Sequence, residues 1–205
     1  MSHSFDLFWS FRSPYCYFAL DRVLAMHRDY DLTVNVRPVY PMAVRDAGFF
    51  KTINPKYRRY HTLDAQRTAD YLGVPFVRAR PDPIVMDMQT NAIAVEQPYI
   101  QRLTRLGAAA ALIDKELEFL DQVSRMLWDG SVDGWDQGSH LADAAARAGL
   151  DLAALEAEIE RNPETVDNFI DANQAAHDAS DHWGTPLMIF DGETFYGQDR
   201  LDQLL

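Results

Sequence analysis

The sequence predicts an α/β fold in which one sheet domain, of order β-α-β … β-β-α, is interrupted by a large all-helical insertion. Three observations lead there. Residues 5–11 form an aromatic-rich apolar run of strand length, a helical pattern follows, and residues 33–39 alternate with period two. From Thr90 to His182 the periodicity is almost wholly helical. Strand signals return only at 187–190 and 194–196, joined by Asp191-Gly192, a strong hairpin dipeptide. Neither pair of strands could bury its faces alone, so the two are expected in one sheet. The expected division is a discontinuous sheet domain, residues 1–56 and 183–205, around a helical insertion of residues 57–182.

Each element has its own warrant. Ser13 and Pro14 open the first helix as cap and first-turn residue, and Cys16, Leu20, Val23, Leu24 and His27 fall on one of its faces. The strand at 33–39, ended near Pro38, completes a β-α-β unit whose strands are expected parallel through a right-handed crossover. Residues 41–56 are loop-like, and 58–72 form a helix ended by Gly73. Residues 74–83 hold three prolines, the mark of an extended connector. Leu106, Ala110, Ile113, Leu117, Leu120 and Leu127 make one apolar stripe, broken by Ser124. Residues 141–148 and 152–159 are a shorter helical pair separated by Gly149, and Asn162-Pro163 marks a break before a helix at 166–179. A short terminal helix starts at Gln198.

With 205 residues and 47% hydrophobic side chains, the chain can bury a real core. Its 31 acidic residues against 19 Lys and Arg give a net charge of −12. That argues against a nucleic-acid-binding face, because phosphate contacts need clustered positive charge. A small anionic ligand stays compatible, since a local cationic cluster can sit on an acidic exterior. No segment approaches the roughly 18–20 apolar residues of a transmembrane helix. The N-terminus carries no basic stretch before an apolar run of signal-peptide length. Together with a single cysteine, these features lead to the expectation of a cytoplasmic protein with no membrane partner.

The chemistry is expected at four places. The turn Ser13-Pro14-Tyr15-Cys16 puts a hydroxyl at a helix N-terminus, where unpaired N–H groups and partial positive charge stabilise an anion. A thiolate is such an anion, and a helix N-terminus lowers a thiol pKa. No base stands beside Ser13 in sequence to make it a nucleophile, so its expected roles are N-cap and O–H donor to a thiolate. Cys16, on the apolar face, is expected to be buried and to behave as a small hydrophobe, the alternative being a reactive thiol. As the only cysteine it cannot close the intramolecular disulfide of a Cys-x-x-Cys redox motif.

In Gly184-Thr185-Pro186, the second place, the proline must precede the following strand. A cis bond there would turn the Thr185 backbone outward, free to pair with an extended, peptide-like ligand. The third, Phe195-Tyr196-Gly197-Gln198-Asp199-Arg200, sets another helix N-terminus beside the sheet. Its N–H groups suit a carboxylate and Asp199 an ammonium group; the alternative is a capped helix with a surface ion pair. The fourth, Asn54-Pro55-Lys56-Tyr57-Arg58-Arg59-Tyr60, is a basic aromatic cluster in an acidic protein. Lys56 could meet an anionic ligand, or the cluster is a solvated face with an Asp64–Arg67 pair. His177 and His182 straddle a helix end without a His-Glu-x-x-His pattern, so no metal site is expected.

Together these segments resemble the DsbA-like branch of the thioredoxin superfamily, and more narrowly the 2-hydroxychromene-2-carboxylate isomerases and kappa-class glutathione transferases. Ser13-Pro14-Tyr15 with Tyr17-Phe18-Ala19-Leu20 is similar to that family's Ser-Pro-Tyr-Ser-Tyr-Leu-Ala turn. Gly184-Thr185-Pro186 is similar to its Gly-Val-Pro, and Phe195 to Leu201 to its Phe-x-Gly-x-Asp-Arg-Leu segment. The order of elements is also that family's, and the resemblance covers nearly the whole chain. It implies a thioredoxin-like sheet domain with glutathione as cofactor. The thiolate would lie near Ser13, the cysteinyl backbone on Thr185 beside a cis Pro186, and the γ-glutamyl end at Gln198 and Asp199, with Arg200 in the same segment. Asn54 stands where the family has a ligand-contacting Asn. In such isomerases the thiolate adds transiently to an aromatic-derived substrate, which permits cis/trans isomerisation about a double bond; this is covalent catalysis with a borrowed nucleophile. The implied partner is that small molecule, in an apolar cleft between sheet and insertion. Relatives are often dimers, so a homodimer is compatible.

The chain departs from this pattern at three positions. Cys16 stands where relatives usually have Ser, Thr185 where they have Val, and Arg12 puts a charge directly before the turn. Arg12 and Tyr15 are candidate substrate contacts. Three other functions fit parts of the pattern. A kappa-like transferase needs the same thiolate site. A DsbA-type oxidoreductase would need a monothiol route through Cys16. A non-catalytic thioredoxin-like domain would bind a peptide at Thr185-Pro186 without glutathione.

Overall fold

A computed structural model describes residues 3–46, 48–87 and 89–204, without the side chains of Pro55 and Arg58. Strands β1 (His3–Trp9), β2 (Leu32–Pro38), β3 (Leu187–Phe190) and β4 (Glu193–Tyr196) form one sheet in the order β2-β1-β3-β4. β1 and β2 run parallel, joined by helix α1 (Pro14–Asp29), while β3 pairs antiparallel with β1 and with β4. The two sequence-distant fragments thus complete each other, as a sheet with no core of its own requires. Asp191 and Gly192, at φ 49° and 82°, make the two-residue turn between β3 and β4. Positive φ at both positions matches the twist of the flanking strands, which is why Asp-Gly serves there.

Central β1 is buried on both faces. Phe5, Leu7 and Trp9 join the main core with Leu20 and Val23 of α1, while Phe8 packs with Val39, Leu187 and Ala176. The strand ends at Trp9, two residues earlier than the aromatic run suggested. Ser10 and Phe11 leave the sheet because the chain must turn: the Ser13 N–H donates to the Ser10 carbonyl at 3.0 Å. Phe11 stays buried all the same, its ring 5.9 Å edge-on from Phe119.

Between β2 and β3 the chain is helical. The stretch expected as loop contains two one-turn helices, α2 (Met42–Arg45) and α3 (Phe49–Thr52). Four residues are too few to display a 3.6-residue period. α4 (Pro55–Leu72) begins earlier than the apolar pattern indicated, because Asn54 caps it: the Lys56 N–H donates to its side-chain oxygen at 3.0 Å. The single apolar stripe is two helices, α5 (Pro98–Ala111) and α6 (Glu116–Trp128). The break falls at Asp114, φ 55°, a left-handed conformation that a short polar side chain tolerates. α7 (His140–Arg147), α8 (Leu152–Arg161) and α9 (Pro163–Asp178) follow, and a 3-10 helix, Gln198–Gln203, closes the described chain. Trp128 and Trp135 are core residues, their indole N–H groups donating to the carbonyls of Phe11 at 3.1 Å and Pro81 at 2.8 Å. No helix among the described residues is long and apolar enough to cross a membrane.

Candidate functional site

The turn after β1, the loop before β3 and helices α2 to α4 surround a cleft of about 320 Å³. Ser13 and Thr185 meet at its base. Ser13 caps α1 by accepting the Cys16 N–H at 3.3 Å, and its hydroxyl donates to the Thr185 carbonyl at 3.0 Å. The Thr185-Pro186 peptide is cis.

Cys16 is fully buried one turn below Ser13. Burial pushes its thiol up to about 11, against the opposing hydrogen bonds from Ser10, Ser13 and Thr185. The thiol is therefore neutral and shielded at pH 7. Iodoacetamide at neutral pH is expected to leave the folded protein unmodified and to label Cys16 only after denaturation; rapid stoichiometric labelling of native protein would refute this inert assignment.

Arg12 and Tyr15 line the cleft, and each is braced from within the fold. The Arg12 guanidinium grips Asp82 bidentately, at 3.0 and 3.1 Å, and lies 5.5 Å over the Phe50 ring. The Tyr15 hydroxyl donates to Asp64 at 2.5 Å, and burial and that carboxylate hold its pKa well above the ordinary phenol value. Asp64 thus reaches back to α1. The Arg12 and Tyr15 contacts fix the width of the cleft by tying the turn to the connector and α1 to α4.

The other predicted residues stand outside the lining. Asn54 is exposed and engaged as the α4 cap, with Lys56 exposed beside it. Gln198 accepts a hydrogen bond from Arg22 of α1, and Asp199 pairs with Arg200 at 2.6 Å on the surface. These three form the first turn of the 3-10 helix after β4, whose Tyr196 does line the cleft.

Sequence reasoning missed an aromatic wall. Tyr196, His182, Trp183, Phe49 and Phe50 form a chain of ring contacts with centroid spacings of 3.5, 5.2, 5.2 and 5.4 Å in that order. The doublet Phe49-Phe50 and the pair His182-Trp183 next to Gly184 were the available signals. Facing cations include Arg78, which donates to Thr62 at 3.1 Å, and beside it stands His61. Burial, then Arg78 and Arg12, pull the His61 pKa from 6.5 down to about 4. The unfolded chain therefore takes up this proton first. Stability from neutral His61 is present above about pH 6.5 and is lost as pH falls toward about 4. Urea midpoints recorded from pH 7 down to 4 should fall less steeply in His61→Phe than in wild type; parallel curves would refute the assignment.

A parallel β-α-β unit continued by an antiparallel β-hairpin, with a helix N-terminus facing a cis-proline loop, defines a thioredoxin-like protein. Over residues 5–205 the chain matches the DSBA-like thioredoxin domain family, and it belongs to that family. Among solved structures it is similar to a 2-hydroxychromene-2-carboxylate isomerase, with TM-score 0.63 and 22% identity over 98% of this chain and 92% of that one. It is also similar to the cytosolic disulfide reductase DsbM from Pseudomonas aeruginosa, with TM-score 0.62 and 18% identity over 94% of this chain and 87% of that one. The same reductase solved with GSH gives TM-score 0.61 and 16% identity over 94% and 88%. No curated protein sequence matches significantly. At these identities the likeness is one of fold.

Proposed function

We propose that the protein is a glutathione-dependent isomerase acting on a small aromatic-derived substrate of the 2-hydroxychromene-2-carboxylate type. The observation that carries this reading is Ser13, which occupies the first position of the redox-motif turn, caps α1 and lies against Thr185 at the base of an aromatic-walled cleft. Glutathione, when bound, supplies the nucleophilic thiolate that the chain itself lacks in accessible form. Ser13 then turns its O–H from the Thr185 carbonyl to the sulfur, and the first-turn N–H groups of α1 add to the stabilisation. Thr185 offers its main chain to the cysteinyl backbone in the manner of an added strand. Gln198, Asp199 and Arg200 are assigned to the γ-glutamyl end. The ring wall from Tyr196 to Phe50 suits a planar substrate, and Arg78 favours one that bears a carboxylate.

The likeness to an isomerase, and to a reductase solved with GSH, supports this choice of cofactor. A disulfide reductase reading is disfavoured by the buried, protonated Cys16. A cytoplasmic setting, where thiols are kept reduced, suits the activity. The deciding experiment is calorimetry with reduced glutathione at two pH values, followed by product analysis with chromene-type carboxylates. Saturable binding and an isomerised product are expected. A stable conjugate would make the protein a transferase, and absence of binding at millimolar glutathione would overturn the reading.

A further inference from the structure

The peptide units on either side of Gly184 are held by three side chains, of which Arg45 and His177 have no part in the proposed chemistry. Arg45 of α2 donates to the Trp183 carbonyl at 2.7 Å. His177 of α9 places Nε2 3.0 Å from the Gly184 carbonyl, and the Gly184 N–H donates to His182 Nδ1 at 2.9 Å. A carbonyl only accepts, so His177 Nε2 must carry the proton, and Nδ1 accepts from Arg45 Nη1 at 3.2 Å. Asp178 completes the chain by pairing with Arg45 at 2.9 Å. His177 is completely buried, its ring edge-on to Phe8 at 5.2 Å. The Arg45 side chain is only 12% exposed. A guanidinium so far out of water is costly unless its bonds are well made, which points to a task beyond stability. Gly184 itself has no room for a side chain, because a Cβ would sit 2.5 Å from the Tyr196 ring.

We propose that Arg45, His177 and His182 are positioning residues that fix the main chain of residues 183–185, so that Thr185 stands beside Ser13 in register for an extended ligand. The proposal deepens the glutathione reading and rests on it for the identity of that ligand. Both histidines must be neutral for the pattern to hold, one as donor through Nε2 and the other as acceptor through Nδ1. Burial lowers the pKa of each. The charged or titratable groups around His177 are Arg45, Asp178 and His182.

The test uses the full chain with Arg45→Met, His177→Phe, His177→Asn and His177→Gln. A Gln amide reaches as far as His Nε2 and offers N–H to Gly184 and oxygen to Arg45; an Asn amide is too short to do both. Hydrogen exchange of the free protein is followed at the Gly184 amide, whose N–H is bonded to His182. Binding of S-methylglutathione, which has no thiol proton, is followed by calorimetry. Exchange at this amide should quicken by about tenfold or more in Arg45→Met, His177→Phe and His177→Asn, and affinity should drop by about tenfold in parallel. His177→Gln should return both to within about threefold of wild type. If His177→Phe does not fold, His177→Asn against His177→Gln carries the comparison. Unchanged exchange in Arg45→Met and His177→Asn would overturn the clamp. Faster exchange with unaltered affinity would overturn its positioning role. The expected exchange pattern in a protein that binds no S-methylglutathione would uphold the clamp and overturn the glutathione reading instead.

Discussion

Ser13→Ala is expected to lower glutathione-dependent turnover by roughly 10- to 150-fold, the equivalent of one charge-assisted hydrogen bond of about 1.5–3 kcal/mol. Two effects are mixed in that variant. The same oxygen accepts the Cys16 N–H as the cap of α1, so its loss should also cost about 1 kcal/mol of stability. Ser13→Gly separates them, because glycine at an N-cap costs only a few tenths of a kcal/mol. Both variants should lose turnover equally, while only Ser13→Ala shows a lower urea midpoint. Turnover regained in Ser13→Gly would assign the effect to helix fraying and remove Ser13 from the chemistry.

A larger loss of stability is expected from Phe11→Ala, about 3–5 kcal/mol, as for other buried aromatic truncations. Phe11 is 1% exposed and sits between β1 and the Ser13 turn, edge-on to Phe119 of α6. Its carbonyl also receives the Trp128 indole N–H. The residue therefore fastens the Ser13 turn to the helical layer, and its ring packs so closely on α5 that a Cβ added at Gly107 would sit 2.7 Å from it. Denaturant unfolding gives the number directly. A change below about 1 kcal/mol would mean that α6 collapses onto the turn and that the two layers are not held apart by this ring.

What could be read in advance was chemistry confined to a few neighbouring residues. Ser-Pro at a helix start, Asp-Gly between strands and Gly-Thr-Pro before a strand each act through local backbone geometry, and each is found in its expected place. The sequence resemblance extended that reading to the whole chain. What escaped depends on partners far apart in sequence. Arg12 and Asp82 are separated by 70 positions, and nothing local indicates that the guanidinium proposed for a substrate already grips a carboxylate. Asp64 had an obvious helical neighbour in Arg67, yet it bonds the Tyr15 hydroxyl across two elements. The aromatic wall escaped because its rings come from α3, β4 and the loop between α9 and β3. Asn54 shows the opposite limit. Its N-cap role is fully local, and it engages the side-chain oxygen with the Lys56 N–H.

If the site takes glutathione as proposed, the Ser13 to Thr185 bond also makes it selective for the charge on that ligand. A neutral sulfhydryl is a poorer acceptor than an amide carbonyl, so it cannot draw the serine proton away from Thr185. An ionised sulfur is a stronger acceptor than either and can. The hydroxyl thus behaves as a discriminator, staying with the protein's own backbone until an anion arrives. On the proposed function, each thiol that docks is sorted by ionisation state before any substrate is involved.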